Sequence, residues 1–224
     1  MWKVLRIWFF RAKMALMNDY SQSGETRVIR GLLPKKRSGA GFFVEIGAND
    51  GVTVSSTYGL VKRGWSGISV EANPVVFERL QQNLQNYPRI QTVCLAVAPQ
   101  RGMVRLYLGK NDPQGLLSTI STDNSPWFEE NRAESYLEVM GVPPTELFGD
   151  LEVPAAFDLL LIDAEGMDYD ILLSLDFKRY RPTLIVTEDY QPKNDLKFKL
   201  LEQMCYLQVR QVGCNSFWMD QQEA

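Results

Sequence analysis

Short apolar runs alternate with amphipathic segments along most of the chain, and this alternation becomes regular near residue 41. The run over residues 41–46 leads into a turn rich in small residues at 47–51, which predicts a strand followed by a tight turn. Asn73 and Pro74 are suited to the start of a helix, because asparagine caps free N–H groups and proline fits the first turn. Apolar residues then recur on one helical face.

The same reasoning predicts strands and helices along the rest of the chain, apart from one stretch without a regular pattern. The order of strands and helices implies a parallel sheet covered by helices on both faces. Residues 110–154 have no strong period, except for a helix expected near 127–140, and are interpreted as a functional insertion. We expect strands at 41–46, 67–71, 90–97, 102–109, 157–163, 183–187, 205–211 and 216–219, and helices ending near residue 63 and spanning 74–87, 168–175 and 192–204.

Acidic residues fall at the carboxyl ends of the predicted strands, where ligands of such sheets bind. They are Glu45, Glu71, Asp163 and the pair Glu188 and Asp189. The chain of 224 residues contains no histidine, so catalytic mechanisms that need an imidazole base are excluded. A general base in this protein is therefore most simply a carboxylate.

The first turn and the second strand together indicate the class of ligand. Gly47 and Asn49 tolerate backbone conformations that most residues avoid, but the turn lacks the third glycine of a dinucleotide-binding motif. Glu71 follows Gly47 by 24 residues, at the position where an acid accepts hydrogen bonds from both ribose hydroxyls. Glu45 would suit a cationic group such as an α-ammonium. These features predict a nucleoside without a pyrophosphate, namely S-adenosylmethionine (SAM).

The charge distribution separates the N-terminal segment from the remainder. The first 37 residues carry nine Lys and Arg against two acids, and the remaining chain carries 15 basic and 25 acidic residues. An acidic body argues against nucleic-acid binding. Residues 1–17 have the pattern of a basic amphipathic helix, which either lies on the inner membrane surface or packs against protein. Sparse cysteines without a C-x-x-C pair favour a cytoplasmic location. We therefore predict an N-terminal segment over 1–37 and one domain over 38–224.

Several sequence blocks together resemble the FkbM-type SAM-dependent methyltransferases. The blocks are YSQSGETRVI, VEIGANDG, GISVEANPVVFERLQQN and FDLLLIDAEGMDYDIL, and the resemblance covers roughly residues 20–220. It implies a Rossmann-like class I methyltransferase fold, with a seven-stranded, mainly parallel sheet whose last strand is antiparallel. It also implies O-methylation of a hydroxyl on a sugar, a glycoconjugate or a natural product.

The resemblance assigns roles to residues at matching positions. Glu45, Gly47 and Asn49 would shape the methionine end of the cofactor site, and Glu71 would hold the ribose. Residues Ala72, Asn73 and Ala96 would flank the adenine. Ser21 and Gln22 would close over the cofactor, or else form a turn that caps the following helix.

The acids after the fourth principal strand are the candidates for catalysis. A carboxylate can align an acceptor hydroxyl and remove its proton, which makes Asp163 and Glu165 the predicted catalytic residues; Asp163 would also contact the cofactor. Capping of the following helix is the structural alternative for Glu165. A Mg²⁺ ion held by Asp163, Glu188 and Asp189 is a further hypothesis. Aromatic residues of the insertion, including Trp127, Phe128 and Tyr136, could contact a sugar or fill a core.

Two alternative functions remain open at the level of the sequence. One is a methyltransferase-like scaffold that binds SAM at a membrane without catalysis. The other is a dinucleotide-dependent oxidoreductase, which the incomplete glycine motif disfavours.

Overall fold

The computed structural model describes residues 19–33, 41–122, 126–189 and 194–222. Residues 1–17, the predicted basic helix, lie outside the described residues. The helices are α1 (Glu25–Leu32), α2 (Tyr58–Val61), α3 (Pro74–Leu84), α4 (Pro126–Asn131), α5 (Pro144–Asp150), α6 (Asp168–Leu173) and α7 (Asn194–Gln203). The strands are β1 (Phe42–Ile46), β2 (Ser66–Glu71), β3 (Ile90–Cys94), β4 (Ala96–Val97), β5 (Gly102–Gly109), β6 (Arg132–Val142), β7 (Ala156–Ile162), β8 (Arg181–Glu188), β9 (Tyr206–Val212) and β10 (Asn215–Asp220).

Seven strands form the main sheet in the order β3-β2-β1-β7-β8-β10-β9. The neighbours from β3 through β8 pair in parallel, whereas β10 is antiparallel to both β8 and β9. This is the predicted class I methyltransferase arrangement, and the prediction of the fold is confirmed. Strand β7 is apolar at successive positions because both of its faces are covered, as Leu159 and Leu160 show by their almost complete burial.

The helices pack on the sheet through local sequence features. Asn73 caps α3 as predicted, because its side-chain oxygen accepts a hydrogen bond from the N–H of Val75 at 3.1 Å, and Pro74 begins the helix. On the N-terminal side, Ile29 of α1 and the following Leu33 are buried in the same apolar cluster as Phe43 of β1. Residues 25–33 therefore contribute to the core beneath the sheet.

A smaller, three-stranded sheet in the order β4-β6-β5 lies in and beside the predicted insertion. The expected helix near 127–140 is wrong over most of its length, because α4 ends at Asn131 and β6 follows directly. Strand β6 pairs antiparallel with β5, which turns Val139 toward the interior. The predicted strand at 90–97 is also divided, since β3 belongs to the main sheet and β4 to the small one.

Of the helices that the structure describes, none combines the length and the apolar character needed to cross a membrane.

Candidate active site

A cavity of about 450 Å³ opens beyond the carboxyl ends of β1, β2, β7 and β8. Its walls include four of the strand-end acids, Glu45, Glu71, Asp163 and Glu188, together with Glu165. The expectation that these acids meet at one edge of a parallel sheet is therefore fulfilled for all but Asp189. The volume is within the usual range for small-molecule sites.

The turn after β1 brings two strands into close contact. Gly47 has a φ angle of +86°, and a Cβ atom there would lie 1.8 Å from the carbonyl oxygen of Asp163. Glycine is therefore required here, because a side chain would collide with the backbone of Asp163. Asn49 has a φ angle of +48°, in the left-handed region that asparagine tolerates. Both residues line the cavity.

Glu45 lies on β1 with its carboxyl group buried at one end of the cavity. One of its oxygens accepts hydrogen bonds from Thr57 Oγ1 at 2.8 Å and from Ser69 Oγ at 3.2 Å. Burial raises the pKa of Glu45 to about 8, although these two hydroxyl donors act in the opposite direction. A cationic ligand group next to Glu45 would favour its charged form.

Glu71 ends β2 and is held by backbone donors on both of its oxygens. Oε2 accepts from the N–H of Asn49 at 2.8 Å, and Oε1 accepts from the N–H of Asn73 at 2.7 Å. Burial raises the pKa of Glu71 to about 6, against the lowering effect of these N–H groups. The carboxylate is thus fixed in orientation and has lone pairs left for ligand donors.

The residues that were predicted to flank the adenine take two different positions. Ala72 and Ala96 line the cavity beside Glu71. Asn73 does not line it, since its side chain caps α3 and its N–H supports Glu71. We therefore correct its role from a ligand contact to a group that positions Glu71.

The structure also places Ser21 and Gln22 in different environments. Gln22 lines the cavity. Ser21 is buried away from it, where its hydroxyl hydrogen-bonds with Asp19 and accepts from the N–H of Thr26 at 3.3 Å. Ser21 therefore belongs to the turn at the start of α1, which is the structural alternative that the sequence left open.

Three carboxyl groups converge at the ends of β7 and β8. Oxygen atoms of Asp163, Glu165 and Glu188 all lie within 4.8 Å of one another. Asp163 is exposed to the cavity, and desolvation by the surrounding protein, together with the charge and hydrogen bond of Glu188, raises its pKa. Burial and the charge of Asp163 raise the pKa of Glu165. The cluster can therefore hold protons near neutral pH or bind a cation.

A second layer of buried polar groups supports this cluster. Asp168 accepts the N–H of Ala164 at 3.2 Å and the N–H of Glu188 at 3.0 Å, so one carboxylate joins the ends of two strands. Asp189 was predicted to be a metal ligand, but the structure gives it a different partner. It forms an ion pair with the buried Lys197 at 3.1 Å and accepts from Ser216 Oγ at 3.0 Å, and it does not line the cavity.

The insertion closes the side of the cavity opposite the sheet. Thr119 donates from Oγ1 to the carbonyl oxygen of Glu165 at 2.6 Å. Phe128 is fully buried against Gly166, where a Cβ atom would lie 2.3 Å from its ring. Phe128 therefore has a packing role, and exposed Tyr136 lies on the outer face of the small sheet.

Comparison with known proteins agrees with this arrangement. The family model described as the methyltransferase FkbM domain matches residues 45–212, which is most of the chain and includes all the strand-end acids. The chain belongs to the FkbM methyltransferase family. A comparison with curated proteins finds no matching sequence.

Solved structures of other methyltransferases share the fold of this family member. The methyltransferase FkbM from Methylobacillus flagellatus KT is 14% identical with a TM-score of 0.51, and the alignment covers 81% of this chain and 44% of that one. The chain thus spans less than half the length of that relative. Fibrillarin from Aeropyrum pernix, in complex with natively bound S-adenosyl-L-methionine, is 10% identical with a TM-score of 0.50, covering 87% and 73%.

Two groups in the site of this FkbM family member were missed by the sequence reasoning. Asp168 and Lys197 are buried almost completely under the acid cluster. An acid at the first position of a short helix looks like an ordinary helix-terminus charge, which conceals its link to β8. Lys197 is the fourth residue of α7, and none of its neighbours in the sequence indicates that it is buried.

Proposed function

We propose that the protein transfers a methyl group from SAM to a hydroxyl group of a sugar, a glycoconjugate or a natural product. One observation carries this proposal. The carboxylate of Glu71, fixed by two backbone N–H groups, faces the same cavity as the cluster of Asp163, Glu165 and Glu188. A nucleoside site and a site for proton removal therefore lie within reach of a single bound cofactor.

The residues present fit SAM as the cofactor. Glu71 offers oxygens to two ribose hydroxyls, and the small side chains of Ala72 and Ala96 leave room for a flat base. Glu45 and Asp163 supply negative charge toward the methionine end, where the cofactor carries an ammonium and a sulfonium. When bound, SAM supplies a methyl group on a positively charged sulfur.

The acid cluster supports proton removal from an acceptor hydroxyl. An alcohol loses its proton as it is methylated, and a positioned carboxylate is a suitable base. Asp163 is the group we assign as base, because it is accessible from the cavity and its raised pKa makes it a stronger base than an exposed carboxylate. Glu165 and Glu188 would orient the acceptor through hydrogen bonds, and Asp168 would keep both strand ends in place.

The charge of the cavity supports a neutral acceptor. Among the described residues that line it, five are acidic and none is lysine or arginine. Carboxylates accept hydrogen bonds from hydroxyl groups but repel phosphates and carboxylates. This distribution supports a polyhydroxylated acceptor without a charged group near the methylated position.

Binding and product analysis test the proposal in two steps. Isothermal titration of the full-length protein with SAM, S-adenosylhomocysteine and NAD should show binding of the two adenosyl ligands and not of NAD. Mass spectrometry of a screen of sugars and glycoconjugates should then find products heavier by one methyl group, with Asp163→Asn as the inactive control. NAD binding without SAM binding would contradict the proposal, and SAM binding without any product would favour the non-catalytic scaffold.

A divalent cation at the acid cluster is the remaining alternative for activating the acceptor. Asp163, Glu165 and Glu188 would be its ligands, and it would lower the pKa of a bound hydroxyl. We propose instead that the carboxylates act without it. Activity that survives EDTA supports this proposal, whereas loss with EDTA and recovery with Mg²⁺ would support the cation.

A further inference from the structure

Residues 112–120, here called the wall segment, lie across the cavity from the sheet. Within it, residues 115–120 line the cavity directly. At one end the segment contacts the groups around Glu71, and at the other Thr119 bonds the carbonyl of Glu165. The wall segment therefore spans the distance from the nucleoside end to the acid cluster.

Asn49 fastens the wall segment to the nucleoside end. Its Nδ2 donates to the carbonyl oxygens of Gln114 at 3.2 Å and Gly115 at 3.1 Å, while its own backbone N–H donates to Glu71. Gly115 has a φ angle of +71°, and a Cβ atom there would lie 2.5 Å from a methyl of Val76. The segment is thus seated closely on α3, and one residue bonds both the segment and the predicted ribose acid.

The hydroxyl group of Ser118 is left without a partner in this arrangement. Its Oγ atom is buried and finds no hydrogen-bond partner among the described residues, although Ser118 lines the cavity. A buried hydroxyl without a partner is unfavourable, and most such groups in proteins are paired. A rotation about the Cα–Cβ bond of Ser118 would turn the hydroxyl toward the cavity, where a ligand would supply the missing partner.

The backbone around Thr119 indicates which part of a ligand Ser118 faces. Thr119 and Tyr107 exchange both backbone hydrogen bonds, at 2.8 and 2.9 Å, so the chain is extended there. Side chains two residues apart on an extended chain share a face, which places Ser118 on the same side as Ile120. Ile120 and Ala72 both pack against the small apolar cluster that contains Ala96, and Ala72 and Ala96 are the small residues beside Glu71.

From this geometry we infer that the wall segment is part of the cofactor site, that the Ser118 hydroxyl hydrogen-bonds the edge of the adenine, and that Asn49 positions the segment. This inference rests on the proposed function, because it takes the ligand beside Glu71 to be an adenosyl group. The purine edge offers both donors and acceptors, and a serine hydroxyl can bond either.

The first experiment replaces Ser118 by alanine in the full-length protein and uses S-adenosylhomocysteine as the probe. Ser118→Ala should melt at a higher temperature than the wild type without ligand, since it removes an unpaired buried hydroxyl. It should also bind the probe about tenfold more weakly in isothermal titration. Ser66→Ala, which removes a hydroxyl bonded to Gly41 far from the cavity, is the control and should bind as the wild type does. Unchanged affinity in Ser118→Ala would overturn the assignment.

The second experiment tests Asn49 as a positioning residue. Asn49→Gly keeps the left-handed backbone and the N–H to Glu71 but removes the side-chain bonds to the wall segment. We expect dissociation of S-adenosylhomocysteine, followed by stopped-flow fluorescence, to become about tenfold faster, with association changed less than threefold. Ligand-induced protection of residues 112–120 from hydrogen exchange should be lost. Asn83→Ala removes a comparable amide bond, to the carbonyl of Asp50, and should have neither effect.

The outcomes separate this inference from the proposed function. If the folded wild-type protein does not bind S-adenosylhomocysteine, the proposed function itself fails. If the wild type binds it and the Ser118 and Asn49 variants retain its affinity, dissociation rate and protection, only the role of the wall segment is refuted.

Discussion

Replacement of Glu71 is the most direct test of the cofactor site, because no neutral side chain can form the same hydrogen bonds as this carboxylate. Each of its two oxygens accepts a different backbone N–H, from Asn49 at 2.8 Å and from Asn73 at 2.7 Å. Glu71→Ala removes the group altogether. Glu71→Gln keeps its shape, but the new amide NH₂ must face one of the two N–H donors, so glutamine cannot restore both bonds.

The expected loss follows from the hydrogen bonds that a carboxylate forms with ribose hydroxyls. A hydrogen bond to a charged group contributes roughly 1.5–3 kcal/mol. At about 1.4 kcal/mol for each factor of ten, the loss of one such bond weakens binding by roughly 10- to 150-fold. We expect Glu71→Ala within this range for SAM and S-adenosylhomocysteine, and Glu71→Gln to lose affinity as well.

Isothermal titration at pH 7.5 measures these affinities, and circular dichroism shows whether each variant is folded. Glu78→Gln on the exposed side of α3 removes the same type of charge without contact with the cavity, and it should bind like the wild type. A folded Glu71→Ala variant with wild-type affinity would refute the ribose assignment.

Three further predictions concern pH, catalysis and folding. Because the pKa of Glu71 is raised to about 6, its carboxylate is protonated below that pH, so affinity for S-adenosylhomocysteine should fall as the pH drops through 6, as titrations across this range would show. Asp163→Asn should lower kcat by roughly 10²- to 10⁴-fold at saturating SAM with the acceptor found by screening; full activity would exclude Asp163 as base. Gly47→Ala should lower the free energy of unfolding, measured in urea, by about 1–3 kcal/mol more than Gly64→Ala does. Both glycines have positive φ angles, but only a methyl group at residue 47 would collide with Asp163, so equal losses would contradict the close-contact argument.

The main sheet could be predicted because its signals are local. Strands such as β1 and β7 are continuous apolar runs that end in turns, and the alternation with helices requires parallel pairing. The seven-stranded, mainly parallel sheet with an antiparallel last strand follows from the family resemblance, and the structure confirms it. The strand-end acids meet because parallel strands end at the same edge.

The insertion could not be predicted with the same success, because its structure depends on distant partners. Residues 127–140 contain several good helix formers, yet β6 from Arg132 onward pairs with β5 along most of its length. The apolar pair Leu137 and Val139, separated by Glu138, was a weak strand signal within this segment. The bonds from Asn49 to residues 114 and 115 join parts of the chain that no sequence period relates.

The pair Glu188 and Asp189 shows how strand geometry separates adjacent acids that look equivalent in the sequence. Successive side chains of an extended chain point to opposite faces, so only one of the two can face the cavity. The structure turns Glu188 toward Asp163 and Glu165, and it turns Asp189 toward Lys197, which is only 1% exposed. A buried lysine needs a nearby counter-charge, and Asp189 supplies it. Because Lys197 also donates to the carbonyl of Glu188, the ion pair between Lys197 and Asp189 holds the end of β8 in place.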